Sequence, residues 1–589
     1  MKVLFFAPHS AIWVHAFPEA LVAEALRESG HEIVYVTCGR QLFAGCIAMS
    51  AQGVASEAPD GRKAEICRMC EANKQLLRTS FGFRGEDLAA LLSPEDLAEV
   101  RELLAAVTRS NFLELQVLGV DVGHAALYEF LVDHKKSSLE FANDLEWRRY
   151  LAAVENTLFA TFGGRRIIDR EAPDAIVVYN GLYSVNRAIC MLASARRVPH
   201  YFMHAGGNLA GRLQTLMLAK GDIFDMLRNV AAAWPALREA PVDPEYAGRV
   251  TDHFLELLRG RSAFAYSEPQ TGGSGDLCRK FGIAPDQKVL CATLSSYDER
   301  FAAESAGALE PATGLLFPLQ VDWVHALIEY VRERADLFLV VRVHPREFPN
   351  KRDGVKSDHA RRLEQVFATM PANVVINWPG DNLSLYDMAE VTDVFLNAWS
   401  GVGREMCLLG IPVVLYSKTL PWYPVDINYV GETLPSYFAA IEQALADGWR
   451  YQNIVRGYRW LAVEFGHMLI DIADSYQASE YAPTGLVGRA AAKMRRLLRP
   501  DALRRGDVGR RARPMRAQRQ IASLLESGAE TVLDARVASP ARAVPGADEE
   551  AVIRAELARL VKAMYPHGNA AASKLGKFLE KLAEPVHAA

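Results

Sequence analysis

Two short stretches of this 589-residue sequence group side chains that bind anions and hydroxyls. The first is Leu339-Val340-Val341-Arg342-Val343-His344-Pro345-Arg346-Glu347, a buried strand that runs into hydrogen-bonding groups. Pro345 keeps the preceding residue extended, so the His344 ring can project past the strand end and donate to a phosphate oxygen. Arg342 and Arg346 flank it, and a planar guanidinium suits bidentate phosphate binding. A histidine satisfied by a backbone carbonyl is the plainer reading of a His-Pro pair standing alone. The second stretch is Asn397-Ala398-Trp399-Ser400-Gly401-Val402-Gly403-Arg404-Glu405. It follows a strand and opens a helix, so Ser400, Gly401 and the next backbone N–H groups are placed as an anion site at a helix N-terminus. Glu405, one turn in, faces where ribose hydroxyls would sit. A simple N-cap with an acidic first turn explains the same residues. Asp381-Asn382-Leu383-Ser384 adds a second cap-like rim, with Ser384 within reach of a base or ribose.

Strand ends must hold these groups, and the hydrophobic pattern supplies them. Val3–Phe6 reads as a strand, roughly Phe17–Ser29 as a helix closed by Gly30, and His31–Thr37 as a second strand. A helix-rich stretch spans about 84 to 172, including Pro94–Thr108 and Glu140–Phe162. Strand Ala175–Tyr179, helix Val185–Ala195 and strand Pro199–Met203 then resume the alternation. A second series starts near residue 285, with strands at Lys288–Leu294, Leu337–Val343, Asn373–Ile376, Asp393–Leu396 and Ile411–Leu415 and helices between them. The expected fold is α/β, with two Rossmann-like doubly wound domains facing a cleft, a helical insertion and a basic, helical C-terminal tail. Expected boundaries are 1–262, 263–480 and 481–589.

The order "RVHPRE" and then "PGDNLSLYDMAEVTDVFLNAWSGVGREMCLLGIPVVL" resembles the C-terminal domain of bacterial capsule and surface-polysaccharide glycosyltransferases. It is similar in particular to capsule Kdo transferases and His-Pro-motif sialyltransferases, over roughly residues 285–430. The resemblance implies a GT-B cleft in which Arg342, His344, Arg346, Ser384, Ser400, Gly401 and Glu405 hold a nucleotide-sugar donor. It also implies a glycan or lipid-linked acceptor. The serine motif is Trp399-Ser400-Gly401 instead of a Ser/Thr pair, so UDP- and GDP-sugars stay open beside CMP-sugars. Transfer with inversion needs a base for the acceptor hydroxyl. His15, soon after the first strand, matches the place of a histidine base in many two-Rossmann sugar transferases; Asp298 and Glu299 are the other candidates. Each also reads as a cap or a solvated side chain. Asn180, Arg187 and His204 lie in Gly- and Asn-containing strand ends that suit an acceptor pocket or plain turns. No D-x-D stands at a strand end, so catalysis is expected to need no metal or other cofactor. A CDP-polyol phosphotransferase has a similar His-Pro/Ser pattern, and a nucleotide-sugar epimerase shares the two-lobed fold.

The formal net charge of −5 gives no nucleic-acid-like excess of positive charge. No apolar run reaches about 18 residues, and the N-terminus reads as a buried strand and not as an export signal, so a cytoplasmic protein is expected. Eight cysteines make no disulfide framework. Cys38, Cys46, Cys67 and Cys70 cluster and end in C-x-x-C; the two readings are a structural zinc site and simple helix neighbours. Between Arg489 and Arg519 there are twelve basic residues against Asp501 and Asp507. That run reads either as a solvated tail or as attachment to an anionic inner membrane face.

Overall fold

The computed structural model describes residues 1–262, 264–271, 274–350, 354–367, 369–477, 502–534 and 546–584. Fourteen strands occur among them: β1 (Lys2–Phe6), β2 (Glu32–Val36), β3 (Gln116–Val117), β4 (Val120–Asp121), β5 (Ala175–Tyr179), β6 (His200–Ala205), β7 (Thr215–Lys220), β8 (Lys288–Thr293), β9 (Leu337–Arg342), β10 (Val374–Asn377), β11 (Val394–Asn397), β12 (Val413–Leu415), β13 (Tyr429–Val430) and β14 (Ile470–Asp471).

The first sheet has the order β14-β7-β6-β5-β1-β2, with β2, β1, β5 and β6 parallel and β7 and β14 antiparallel at the edge. The second, β10-β9-β8-β11-β12-β13, is parallel throughout. Strands buried on both faces explain the continuous apolar runs. Alternate residues serve opposite layers: Val3 and Phe5 join the helix Trp13–Glu28, while Leu4 and Phe6 join the long helix Asp144–Glu171. In the second sheet Leu339 and Val341 pack with Trp323 and Leu327 of helix Gln320–Arg332, and Phe338 and Val340 fill the other side. The fold is α/β with two Rossmann-like sheets, as the sequence pattern leads one to expect.

Strand order reverses at β1/β5 in the first sheet and at β8/β11 in the second, so a crevice opens beyond the carboxyl ends at each place. Side chains join the two units beside these crevices. Lys135 donates to Val355 O at 2.7 Å and Phe348 O at 3.2 Å, and Arg187 bonds to Gly307 O.

Three features depart from the sequence reading. Thr215-Leu216-Met217-Leu218-Ala219-Lys220 forms β7, although its Leu, Met and Ala give no strand signature. Strand β14 returns from beyond the second sheet to extend the first. The region from 502 onward is not a free tail where it is described. Helix Gln518–Ser527 buries Ile521, Leu524 and Leu525 with the helix Trp13–Glu28, and helix Gly546–Met564 inserts Leu557 and Leu560 into the core shared with the second sheet. Of the basic run, Arg489, Lys493, Arg495, Arg496 and Arg499 lie outside the described residues. Arg511 and Arg513 pair internally with Glu24 at 2.8 and 3.0 Å, which removes them from any membrane-facing set. Among the described residues no helix is long and apolar enough to cross a membrane.

Candidate functional site

At the switch point of the second sheet, the ends of β8, β9 and β11 converge on a cavity of about 190 Å³. Arg342, His344, Ser400, Gly401 and Glu405 all line it, together with Tyr266, Ser267 and Thr293. Arg342 is the last residue of β9 and is buried. Its guanidinium donates to Asn377 Oδ1 at 2.6 Å and Leu383 O at 3.0 Å and touches Met388 Sδ at 3.3 Å. These hydrogen-bond partners are all neutral; the carboxylates of Glu268 and Asp381 act on the charge from further off, and burial, the largest influence, still lowers its pKa. A buried cation of this kind is costly unless an anion joins it.

His344 has an extended backbone, φ −64° and ψ 129°, as its proline requires. Its Nδ1 accepts from the Arg346 backbone N–H at 3.2 Å. Burial, then Arg346, Arg342 and Lys135, lower its pKa to about 3, so the ring is neutral near pH 7. With Nδ1 accepting, the ring proton sits on Nε2, which makes that nitrogen a donor. The carbonyl-satisfied histidine does not describe this geometry. Glu405 accepts from the Tyr386 hydroxyl at 3.2 Å, and burial raises its pKa. Ser400 Oγ accepts from Val402 N at 3.3 Å, and Asn397 Nδ2 donates to Ser400 O at 2.9 Å, fixing the turn.

Several expected roles change. The helix after Gly401 is a single turn, Val402–Glu405, passing into the 3-10 turn Met406–Leu409, so it has little dipole to offer an anion. Any anion binding there would fall to side chains. Ser384 is buried and caps the helix Leu385–Ala389, accepting from Tyr386 N at 3.2 Å, and stays off the cavity wall. Arg346 donates to Asp298 at 2.8 Å and approaches Glu299 at 3.5 Å, so its charge is already matched. Asp298 is correspondingly the buried counter-ion of Arg346, also accepting from Ser296 Oγ at 2.8 Å. Glu299 is half exposed on the first turn of helix Tyr297–Ser305.

In the first unit His15 stacks on Tyr179 at 3.9 Å, with His204 on the same ring at 5.4 Å. Burial, then His204, His9 and Arg212, lower the His15 pKa well below its ordinary value. Each of the three acceptor candidates has local bonds of its own. Asn180 takes a left-handed φ of 56° and accepts from Leu182 N at 3.1 Å as a turn residue. Arg187 is an inter-unit strut that also pairs with Asp222 at 3.3 Å. His204 turns Nδ1 onto Ala205 O at 3.0 Å, and burial lowers its pKa to about 4.

Cys38, Cys46, Cys67 and Cys70 do come together around a cavity of about 20 Å³. Burial pushes the thiols of Cys38, Cys46 and Cys70 up to about 12, so they are protonated at neutral pH. Among the described residues no group of three or more His, Cys, Asp or Glu is arranged to hold a metal ion, so these cysteines do not fit the zinc reading.

Sequence reasoning passed over Tyr266, Ser267, Thr293 and Tyr386, which complete the cavity. In the sequence only the base candidates Asp298 and Glu299, just past β8, mark this strand end.

No protein-family model matches the chain, and no curated protein matches its sequence. Among solved structures, the UDP-GlcNAc 2-epimerase from Neisseria meningitidis bound to UDP-GlcNAc is 12% identical, covering 85% of this chain and 100% of that one at a TM-score of 0.24. Thermosulfurimonas dismutans KpsC, a beta Kdo 2,4 transferase, is 14% identical over 49% of this chain and 88% of its own, at a TM-score of 0.28. CalG4, the calicheamicin glycosyltransferase, is 13% identical over 79% and 94%, at 0.25. With likeness this distant, the chemistry has to be argued from the chain's own residues.

Proposed function

We propose that the chain is a glycosyltransferase that binds a nucleotide sugar in the second-sheet cavity and transfers the sugar to a glycan or glycolipid hydroxyl. The observation that supports this most is Arg342, a buried guanidinium with only neutral partners on the cavity wall. The phosphate groups of a nucleotide sugar would supply the directly bonded anion that it lacks. His344 Nε2–H would donate to a second phosphate oxygen while remaining neutral. Glu405 would accept from ribose hydroxyls. As the sugar leaves, negative charge grows on the phosphate, and the fixed Arg342 charge stabilises it without reorganisation. His15 is the base this reading retains for its place after β1; burial leaves its ring neutral and also lowers its basicity.

Calorimetric titration with CMP, CDP, UDP and GDP tests the site. Arg342→Met should weaken the preferred nucleotide 10- to 100-fold, about 1.5–3 kcal/mol for a charged hydrogen bond, with Arg342→Lys intermediate. Unchanged affinity in an Arg342→Met/His344→Ala double variant would sink the assignment. Product analysis then separates the chemistries. A glycoside supports transfer, a phosphodiester indicates a polyol phosphotransferase, and turnover of donor alone indicates an epimerase.

A further inference from the structure

A cavity of about 660 Å³ lies in the first unit beyond the ends of β1 and β5. None of the acceptor residues expected from the sequence lines it. Its volume falls in the range of small-molecule sites. Two buried side chains and one half-buried one on its wall keep buried polar atoms that no described residue satisfies. Both ring nitrogens of His9 lack a hydrogen-bond partner, although the residue is only 6% exposed. Asn156, 2% exposed, donates Nδ2 to Gly45 O and leaves Oδ1 unpaired. Glu129 accepts with Oε1 from Ser184 N at 2.8 Å and Ser184 Oγ at 3.0 Å, and leaves Oε2 unpaired. Buried groups of this kind are almost always satisfied in a functioning protein, and three on one cavity wall point to a ligand.

The chemistry of that ligand follows from the charges. Arg346 is matched by Asp298 and Arg149 by Glu57, so neither guanidinium at this wall calls for an anion. This contrasts with Arg342 in the neighbouring cavity. Burial holds His9 near a pKa of about 4, so at neutral pH its ring offers one donor and one acceptor. Burial also raises Glu129 to about 7, so it populates both acceptor and donor forms. Asn156 Oδ1 adds a pure acceptor. Donors and acceptors side by side, with the Asp133 carboxylate and a part-ionised Glu129 on the same wall, suit adjacent hydroxyl groups and disfavour an anion.

We propose that this cavity, through His9, Glu129 and Asn156, binds a neutral hydroxyl-rich molecule, a sugar or polyol unit, which is the acceptor. Its role as acceptor rests on the transferase reading above; the binding site itself does not. Arg346 on its wall stands two residues beyond His344, so one loop borders both cavities.

Saturation-transfer NMR with methyl glycosides of glucose, galactose and N-acetylglucosamine, and with glycerol, tests the site. Inorganic phosphate serves as the competing anion. At least one neutral probe should bind, phosphate should not displace it, and Asn156→Leu should weaken it tenfold or more. Ala152→Phe, which adds bulk to the cavity wall without removing a polar bond, should do the same, and it keeps the test open if Asn156→Leu does not fold. Nucleotide affinity should stay within twofold in both variants. No binding by any probe, displacement by phosphate, or binding indifferent to Ala152→Phe would overturn the proposal. Variant-sensitive sugar binding in a protein that binds no nucleotide would leave this site standing and remove the transferase reading instead.

Discussion

His9, His204 and His359 are held at a pKa of about 4, and His253 and His344 at about 3, with burial the first cause in each case. The unfolded chain takes up these protons near 6.5. Between roughly pH 6.5 and 4 the unfolded state therefore binds more protons than the folded one, and stability rises with pH there. The contribution is fully present above pH 6.5 and is lost on acidification toward 4. Each fully buried imidazole adds up to about 1.4 kcal/mol per pH unit. We expect the urea midpoint to fall steeply from pH 6.5 to 4.5, and His9→Phe to make that slope shallower. An identical slope in His9→Phe would show that His9 is not held neutral.

The turn after β11 places Ser400, and it depends on a single glycine. A Cβ at Gly403 would run into the Tyr423 hydroxyl and come within 2.8 Å of Asn397 Nδ2, the group that pins Ser400 O. Overpacking of this sort costs about 1–3 kcal/mol. Gly403→Ala should lower the thermal midpoint and weaken nucleotide binding together. Tyr423→Phe removes the hydroxyl and should recover part of both losses in the double variant. Additive losses in the two-variant cycle would mean that the steric account is wrong. The brevity of the Val402–Glu405 helix makes this turn a matter of side-chain packing more than of helix dipole.

On the scale of the whole molecule, the C-terminal segment closes the first unit. Arg511 pairs with Glu24 while both are buried, donates to Ser80 O at 3.0 Å and stacks over Phe81 at 4.4 Å. Removing one partner of a buried pair costs about 3–5 kcal/mol, with the low end expected here because Glu24 keeps Arg513. Arg511→Ala should therefore destabilise the first unit and open residues 502–534 to limited proteolysis, leaving nucleotide affinity unchanged. Resistance equal to wild type would show that the segment is held by its apolar helix alone. Lys135 and Arg187 tie the two units together through backbone carbonyls.

The two parallel sheets could be read from the sequence because doubly buried strands leave continuous Val/Leu runs separated by helical periods. Strand ends followed by Pro or Gly also showed where polar groups would emerge. Arg342, His344, Ser400, Gly401 and Glu405 were found together for that reason, each fixed by a local backbone rule. Strand β7 was missed because its pairing with β6 overrides a weak local propensity. The sequence could not say which charges were already spent. Arg346 and Asp298 are 48 positions apart and neutralise one another only when β8 and β9 lie side by side. Nor could it show that His9, Glu129 and Asn156 share a cavity, or that the four clustered cysteines lack the arrangement zinc needs. The sequence by itself determined the two sheets and the residues at their ends, since both follow from local periodicity. The tertiary structure alone decided which of those residues remain available to a ligand, because a charge or a hydrogen bond is satisfied by neighbours in space.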